Sequence, residues 1–268
     1  MVDFQCKDFY SWQDFLEIMR LLRSPDGCPW DRRQTHQSIR RNFLEETYEV
    51  LDALDRDAPD ALCEELGDVL MQVVFHADLE RDAGRFTLDD VIDRACKKLV
   101  FRHPPVFGGT LQADTPQQVL VNWEELKRQE KGQRSTADAL DGVAHTLPAL
   151  WRAEKIASKA DKAGFRWEAI SGALDKLEEE VQELRRAVET GQDPHSPHGA
   201  EEELGDLLFI AAKVAQMTQI DPEEALQRAC DKFNRRFRYV ESHAASDLKD
   251  CTEAQLLSLW DEAKHQES

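Results

Sequence analysis

The segment Glu64-Glu65-Leu66-Gly67-Asp68 returns letter for letter as Glu202-Glu203-Leu204-Gly205-Asp206. An acidic stretch precedes each copy: Glu45-Glu46-Thr47-Tyr48-Glu49 and Glu179-Glu180-Val181-Gln182-Glu183. Downstream, Arg94-Ala95-Cys96-Lys97-Lys98 is echoed by Arg228-Ala229-Cys230-Asp231-Lys232. Arg102 follows Lys98 by four residues, as Arg236 follows Lys232, and Trp123 with Lys127 is echoed by Trp260 with Lys264. A repeat of this length sets the unit of folding. The chain therefore reads as two versions of one device: four acids, then a Lys/Arg pair, then a Trp/Lys pair.

The pattern inside each unit is helical. Strand-like alternation and β-branched runs are missing. The spacing predicts helices over about 9–23, 36–56, 59–83, 87–103, 116–131, 147–163, 170–190, 199–218, 222–243 and 252–266. Pro59 suits a first helical turn, Thr87 suits an N-cap, and His103-Pro104-Pro105 stops the fourth helix. The polar stretch 131–139 reads as a linker between an N-terminal module, 1–130, and a C-terminal module, 140–268. With 268 residues, each half is long enough to bury a core. The expected fold class is all-α, with two tandem homologous helical modules.

Charge narrows the partners. Lys and Arg number 34 against 53 Asp and Glu, a formal net charge of -19. Such a surface repels a nucleic-acid polymer. A small anionic substrate remains possible if a cation screens the encounter. No apolar run is long enough to span a bilayer. Met1 to Tyr10 lacks a signal-peptide pattern. The six cysteines show no CxxC. Cys63, Cys96, Cys230 and Cys251 sit in helical stretches and read as buried thiols, which suits a reducing cytoplasm.

The acids carry the chemistry. Glu46 and Glu49 are three apart on one helix, and Glu65 and Asp68 on the next, so each pair shares a face. Glu180, Glu183, Glu203 and Asp206 repeat the pattern. If the two helices pack antiparallel, four carboxylates converge. Leu44, Tyr48, Leu51, Leu66, Val69, Leu70 and Val73 are expected to bury these faces. Crowded carboxylates repel one another, and burying them is costly. A bound cation removes the conflict, and an all-oxygen ligand set selects a hard ion, Mg²⁺ with Mn²⁺ as a substitute. Gly67 and Gly205 are expected to let the acidic helices approach closely.

Lys98/Arg102 and Lys232/Arg236 are i, i+4 pairs suited to phosphate oxygens. Trp123 with Lys127, and Trp260 with Lys264, could stack a base and hold a phosphate; packing is the alternative use of each Trp. His195 and His198 lie in a Pro/Gly loop and read as solvated. A di-iron oxidoreductase wants two Glu-x-x-His motifs, and only Glu262 and His265 show that spacing. A non-catalytic helical regulator that binds nucleotide through the same surface is the other alternative.

These residues, together with Gly27-Cys28-Pro29-Trp30-Asp31, Arg102-His103-Pro104-Pro105-Val106-Phe107, Gly164-Phe165-Arg166-Trp167 and Lys232-Phe233-Asn234-Arg235-Arg236-Phe237, resemble the tandem-domain MazG family of nucleoside triphosphate pyrophosphohydrolases. The resemblance covers nearly the whole chain. It implies Mg²⁺-dependent hydrolysis of nucleoside triphosphates, ribo or deoxy, to monophosphate and pyrophosphate. It also implies a homodimer whose helices form four-helix-bundle-like sites, and a role in cleaning or lowering nucleotide pools. Under that reading Glu46, Glu49, Glu65, Asp68, Glu180, Glu183, Glu203 and Asp206 hold metal. Glu179 is a candidate to orient the attacking water. Lys232, Arg236, Trp260 and Lys264 bind substrate, with Lys98, Arg102, Trp123 and Lys127 as their first-module counterparts.

Overall fold

A computed structural model describes residues 2, 4–108, 115–130, 132, 135–191 and 193–266. All regular structure among them is helical. In chain order the α-helices are α1 Trp12–Arg23, α2 Arg40–Asp55, α3 Pro59–Asp82, α4 Leu88–Arg102, α5 Pro104–Phe107, α6 Pro116–Glu130, α7 Thr136–Asp141, α8 Ala149–Lys162, α9 Ile170–Glu189, α10 Ala200–Met217, α11 Pro222–His243 and α12 Glu253–Gln266. The chain divides into two compact units, Met1–Lys127 and Arg128–Ser268.

Local chemistry explains most boundaries. α1 starts at 12 rather than 9 because Ser11 and Asp14 form a capping box there, satisfying two backbone N–H groups. Thr87 and Asp90 do the same for α4. Pro59 opens α3, where a missing N–H costs nothing. Asp221 caps α11 through the backbone N–H groups of Glu223 and Glu224, and it also accepts a hydrogen bond from Trp151 Nε1 at 2.8 Å. His103-Pro104-Pro105 ends α4 as expected, but the two prolines then open a further short helix, α5, closed by Gly108 at φ 88°.

The expected linker reads differently in part. Residues 131, 133 and 134 lie outside the described set, and Ser135 and Asp138 cap the short helix α7. The cysteines need correcting too. Cys63, Cys96 and Cys230 are exposed and Cys251 is half-buried. The first three ride on outer helix faces, where a small residue is tolerated without being packed, and Cys251 lies in the turn before α12.

In the first unit α3 is the central helix, packed against α2, α1 and α4. Its core is Met19, Ile39, Val74 and Phe75, with Phe15, Leu16, Met71, Leu79 and Leu88 closing on it. In the second unit α10 takes the central place, against α9, α8 and α11, and α12 lies on α11. The apolar rows assigned to the acidic helices do not form this core. Leu44, Tyr48, Leu51, Leu66 and Leu70 are exposed, and only Val69 and Val73 are half-buried. The buried faces lie elsewhere, on α2 at Ala53 and on α3 at Val74, Phe75 and Ala77. Gly67 and Gly205 are likewise open. A Cβ at either would meet nothing within 4 Å, so within these residues they serve no close helix approach.

Candidate active site

The turn between α2 and α3, and the longer loop between α9 and α10, fold each acidic pair of helices back on itself. The acids then meet across the pair. In the first module, ligand atoms of Glu46, Glu49 and Glu65 all lie within 4.8 Å of one another. In the second, those of Glu180, Glu203 and Asp206 do so. The fourth acid of each set stays close enough to act through its charge. Asp68 raises the pKa of Glu46, and Glu183 raises that of Glu203. The trios are thus not the same three positions in the two modules, although the four positions are.

The electrostatics show the strain that crowding creates. Burial, then the charges of Asp68, Glu49 and Glu65, holds Glu46 above the ordinary carboxylate range. Burial and the neighbouring Glu49, Glu64 and Asp68 do the same for Glu65. Glu49 thus presses on both Glu46 and Glu65, whose ligand atoms lie within 4.8 Å of its own. Burial, then Glu183 and Glu180, lifts Glu203, with His198 pulling the other way. Glu180 and Glu203 are 4% and 6% exposed. Buried oxygens that repel one another fit a hard divalent cation, whose charge would offset the repulsion.

The second site lies in a cavity of about 540 Å³. Besides the acids, including Glu179 and Glu183, it is lined by Lys176, Arg186, Thr190 and His198. The sequence reading missed these four. Lys176 donates to Glu179 at 3.0 Å and to Glu180 at 2.8 Å, and these hydrogen bonds, Glu180 first, raise its pKa. Its i, i+3 and i, i+4 spacing to the two acids was the available signal. His198 was read as solvated. Its ring is exposed, but its Nδ1 stands 3.8 Å from Glu203 and its backbone N–H donates to Glu202 at 2.8 Å. It takes a φ of 58°, unusual for a residue other than glycine. Gly199 beside it has no room for a side chain, since a Cβ would lie 2.5 Å from the Pro194 carbonyl oxygen. No spacing rule could have placed that loop against the acids.

The basic and aromatic sets lie apart from the cavity lining. In the second module Lys232 and Arg236 sit on α11, Trp260 and Lys264 on α12, and none of the four lines it. The Trp260 ring already packs against Phe233, centroid to centroid 5.0 Å, with the Arg236 guanidinium 6.0 Å away. Lys264 pairs with Asp261 at 2.8 Å. In the first module Trp123 lies near two cations, Arg102 at 5.2 Å and Lys127 at 4.8 Å from its ring centroid. Lys98 lies four residues before Arg102 on α4. Packing and cation–π contact thus engage both indoles.

The comparisons with known proteins agree with this arrangement. The MazG nucleotide pyrophosphohydrolase domain matches residues 34–107 and again 170–240, the spans that hold the two acid sets. The chain is 40% identical over 256 residues to the nucleoside triphosphate pyrophosphohydrolase/pyrophosphatase MazG of Thermotoga maritima, covering 94% of this chain and 95% of that one. It is 41% identical over 256 residues to the nucleoside triphosphate pyrophosphohydrolase of Escherichia coli K12, covering 94% and 96%. It is also 44% identical to the Bacillus subtilis protein YabN over 262 residues, 97% of this chain and 53% of YabN. With the domain present twice and the acids gathered in both copies, this chain belongs to the MazG nucleotide pyrophosphohydrolase family.

Proposed function

We propose that this chain hydrolyses nucleoside triphosphates to the monophosphate and pyrophosphate in a Mg²⁺-dependent reaction, with the second module as the main site. The observation that carries this reading is the trio Glu180, Glu203 and Asp206, gathered within 4.8 Å at a cavity of about 540 Å³. The names of the relatives from T. maritima and E. coli support the reaction class.

In this reading Glu180, Glu183, Glu203 and Asp206 hold the ion, and Glu46, Glu49, Glu65 and Asp68 do so in the first module. When bound, Mg²⁺ neutralises the acids against the triphosphate and lowers the pKa of a coordinated water. The protein's own groups do the rest. Glu179, mostly exposed and linked to Lys176, orients the attacking water or takes its proton. Lys176, held by Glu179 and Glu180, lines the same cavity, where its ammonium would meet a phosphate oxygen. Lys232, Arg236 and Lys264, which do not line the cavity, are the cations we assign to the polyphosphate, to stabilise charge on the departing pyrophosphate. Trp260 offers a face to any base, which gives a broad base range.

The proposal includes a homodimer. Leu66 and Leu70 on α3, and Leu204 and Leu208 on α10, are i, i+4 pairs left exposed, Leu66 at 52% and Leu204 at 46%. They flank the open glycines Gly67 and Gly205. An apolar stripe with a gap for a neighbouring backbone suits a second copy forming a four-helix bundle. No helix among the described residues is long and apolar enough to cross a membrane, and the acidic surface disfavours polynucleotides. Clearing nucleotide pools in the cytoplasm is the role we propose.

The test is product analysis with a panel of ribo- and deoxynucleoside triphosphates, with Mg²⁺ and with EDTA. Monophosphate and pyrophosphate formed only with metal support the proposal. Diphosphate with orthophosphate would move the attack to the γ-phosphorus and remove the mechanism. Tight nucleotide binding without turnover would favour a non-catalytic regulator.

A further inference from the structure

A second titratable cluster lies in the first module, away from its acids. His36 stands in the segment before α2, and His76 lies in the C-terminal third of α3. Their Nδ1 atoms are 2.7 Å apart, with the two rings coplanar to within 1°. His36 Nε2 is 2.5 Å from Glu80 Oε1. Glu80 in turn accepts from Arg85 Nε at 2.5 Å and Nη2 at 2.6 Å. Phe43, on α2, sets its ring edge-on to His76 at 5.7 Å.

The proton count follows from the donors. Two bare nitrogens, or two N–H groups, repel at 2.7 Å, so one nitrogen donates and the other accepts. Arg85 keeps Glu80 ionised, and Glu80 therefore accepts from His36 Nε2–H. His36 then either accepts from a neutral His76 or, as an imidazolium, donates to it. In both cases the pair carries at most one positive charge while the bond lasts. A second charge would set N–H against N–H between two cations.

The bond also has a mechanical position. Ile39, three residues from His36, is packed in the core with Val74 and Phe75, the residues just before His76. Glu46 follows Phe43 by less than one turn of α2. The His36–His76 bond thus ties the start of the helix carrying Glu46 and Glu49 to the helix carrying Glu65. Counted from the shared acids, Ile170, Val214 and Thr218 stand in the second module where the first has His36, His76 and Glu80. That module has no such tie.

We propose that His36 and His76 form a one-proton clamp that positions the first acidic site and opens on acidification, leaving the second module closed. The positioning part rests on reading the acids as a site; the opening of the helix pair does not. Glu80 and Arg85 are the charged groups that face the pair. The next charged set, Arg20, Arg23, Arg81 and Asp82, acts on Asp78, two residues along α3 and so turned to another side. Burial, then the charge of His36, lowers the pKa of His76. A histidine held neutral by the fold keeps that stability above its unfolded value, about 6.5. The stability is lost as the pH falls below that value, because the unfolded form then binds more protons.

The experiment is hydrogen exchange of the full chain, read by mass spectrometry at pH 7.5 and pH 5 and corrected for intrinsic rates. Peptides of α2 are expected to lose protection by about tenfold, one pKa unit's worth of equilibrium, while peptides of α9 hold theirs. His76→Val, which installs the second module's residue, and His36→Gln should each remove that step. His36→Gln carries the test alone if His76→Val does not fold. An α2 that keeps its protection at pH 5, or a step of the same size in the variants, would overturn the clamp. The readout needs no turnover, so a chain without hydrolase activity that still shows the step would sink the functional reading and leave the clamp standing.

Discussion

The two modules share four acids and differ in the side chains that hold and line them. In the second, Glu180 and Glu203 are buried, Lys176 bridges two acids, and the loop 190–199 brings Thr190 and His198 to the cavity. In the first, Asn42 stands where the second has Lys176, Glu49 is exposed, and burial with the charges of neighbouring acids raises the pKa of Glu46 and Glu65. The interiors diverge as well. Phe75 packs in the first core with the Arg23 guanidinium 5.0 Å from its ring. Its counterpart is Lys213, only 3% exposed, paired with Asp161 and with Gln216 at 2.8 Å. The central helix of each module is thus tied to a neighbour outside the acidic pair, α3 to α1 by an aromatic contact and α10 to α8 by a buried ion pair. What both modules keep is the geometry that gathers the carboxylates.

The sharpest way to break this comparison is through activity. Under the proposed metal reading, Glu203→Gln is expected to cut pyrophosphate release by at least a hundredfold, since even residues that only orient metal ligands are worth roughly 10–100-fold. Glu65→Gln should cost far less. Equal losses would make the modules catalytic equals and remove the weight placed on the second cavity. Next come the interiors. Lys213→Ala strands the Asp161 carboxylate and should cost about 3–5 kcal/mol. Phe75→Ala should cost a similar amount through a cavity. Denaturant melts of the two variants test whether the ion pair and the aromatic are equally necessary.

Smaller effects separate the caps. Asp221→Ala removes the partner of two backbone N–H groups and of the Trp151 indole, for a loss of about 2 kcal/mol. Thr87→Ala, at the matching start of α4, should lose about 1 kcal/mol. The reverse order in thermal unfolding would mean that the Trp151 contact contributes nothing. Smallest is the acid limb of the first unit. Hydrogen bonds from Arg85, then from His36, hold Glu80 at a pKa of about 2. Its contribution is complete above the ordinary carboxylate value, about 4.3, and is lost as the pH falls towards 2. Glu80→Gln should therefore flatten the stability of the first unit across that window, and an unchanged acid melt would show that the Arg85 pair is solvated away.

Much of this was legible in the chain. Thr87, Pro59 and the Pro104-Pro105 stop act within one helical turn, so residue order alone revealed them. The acids share faces because helical period fixes which residues are neighbours, and repetition marked them as a set. What the order of residues misplaced were the outer faces. Leu66 and Leu70 looked like core, and Cys63 looked buried, because periodicity shows that a helix has an apolar side without showing what covers it. Lys176 was visible at i+4 spacing but was overlooked among many charged residues. His198 and the His36–His76 pair were beyond reach, since each depends on segments that meet only after folding.

The sequence by itself determined the helices, their ends, the tandem plan and the identity of the acids, because those are set by interactions spanning a few residues. The tertiary structure alone decided which three acids meet in each module, which are buried, and that a lysine and a histidine reach the second site. The reason is physical. Burial, desolvation and hydrogen bonds across helices depend on how two surfaces dock, and the same acidic pattern docks differently when Phe75 is replaced by Lys213 and Asn42 by Lys176.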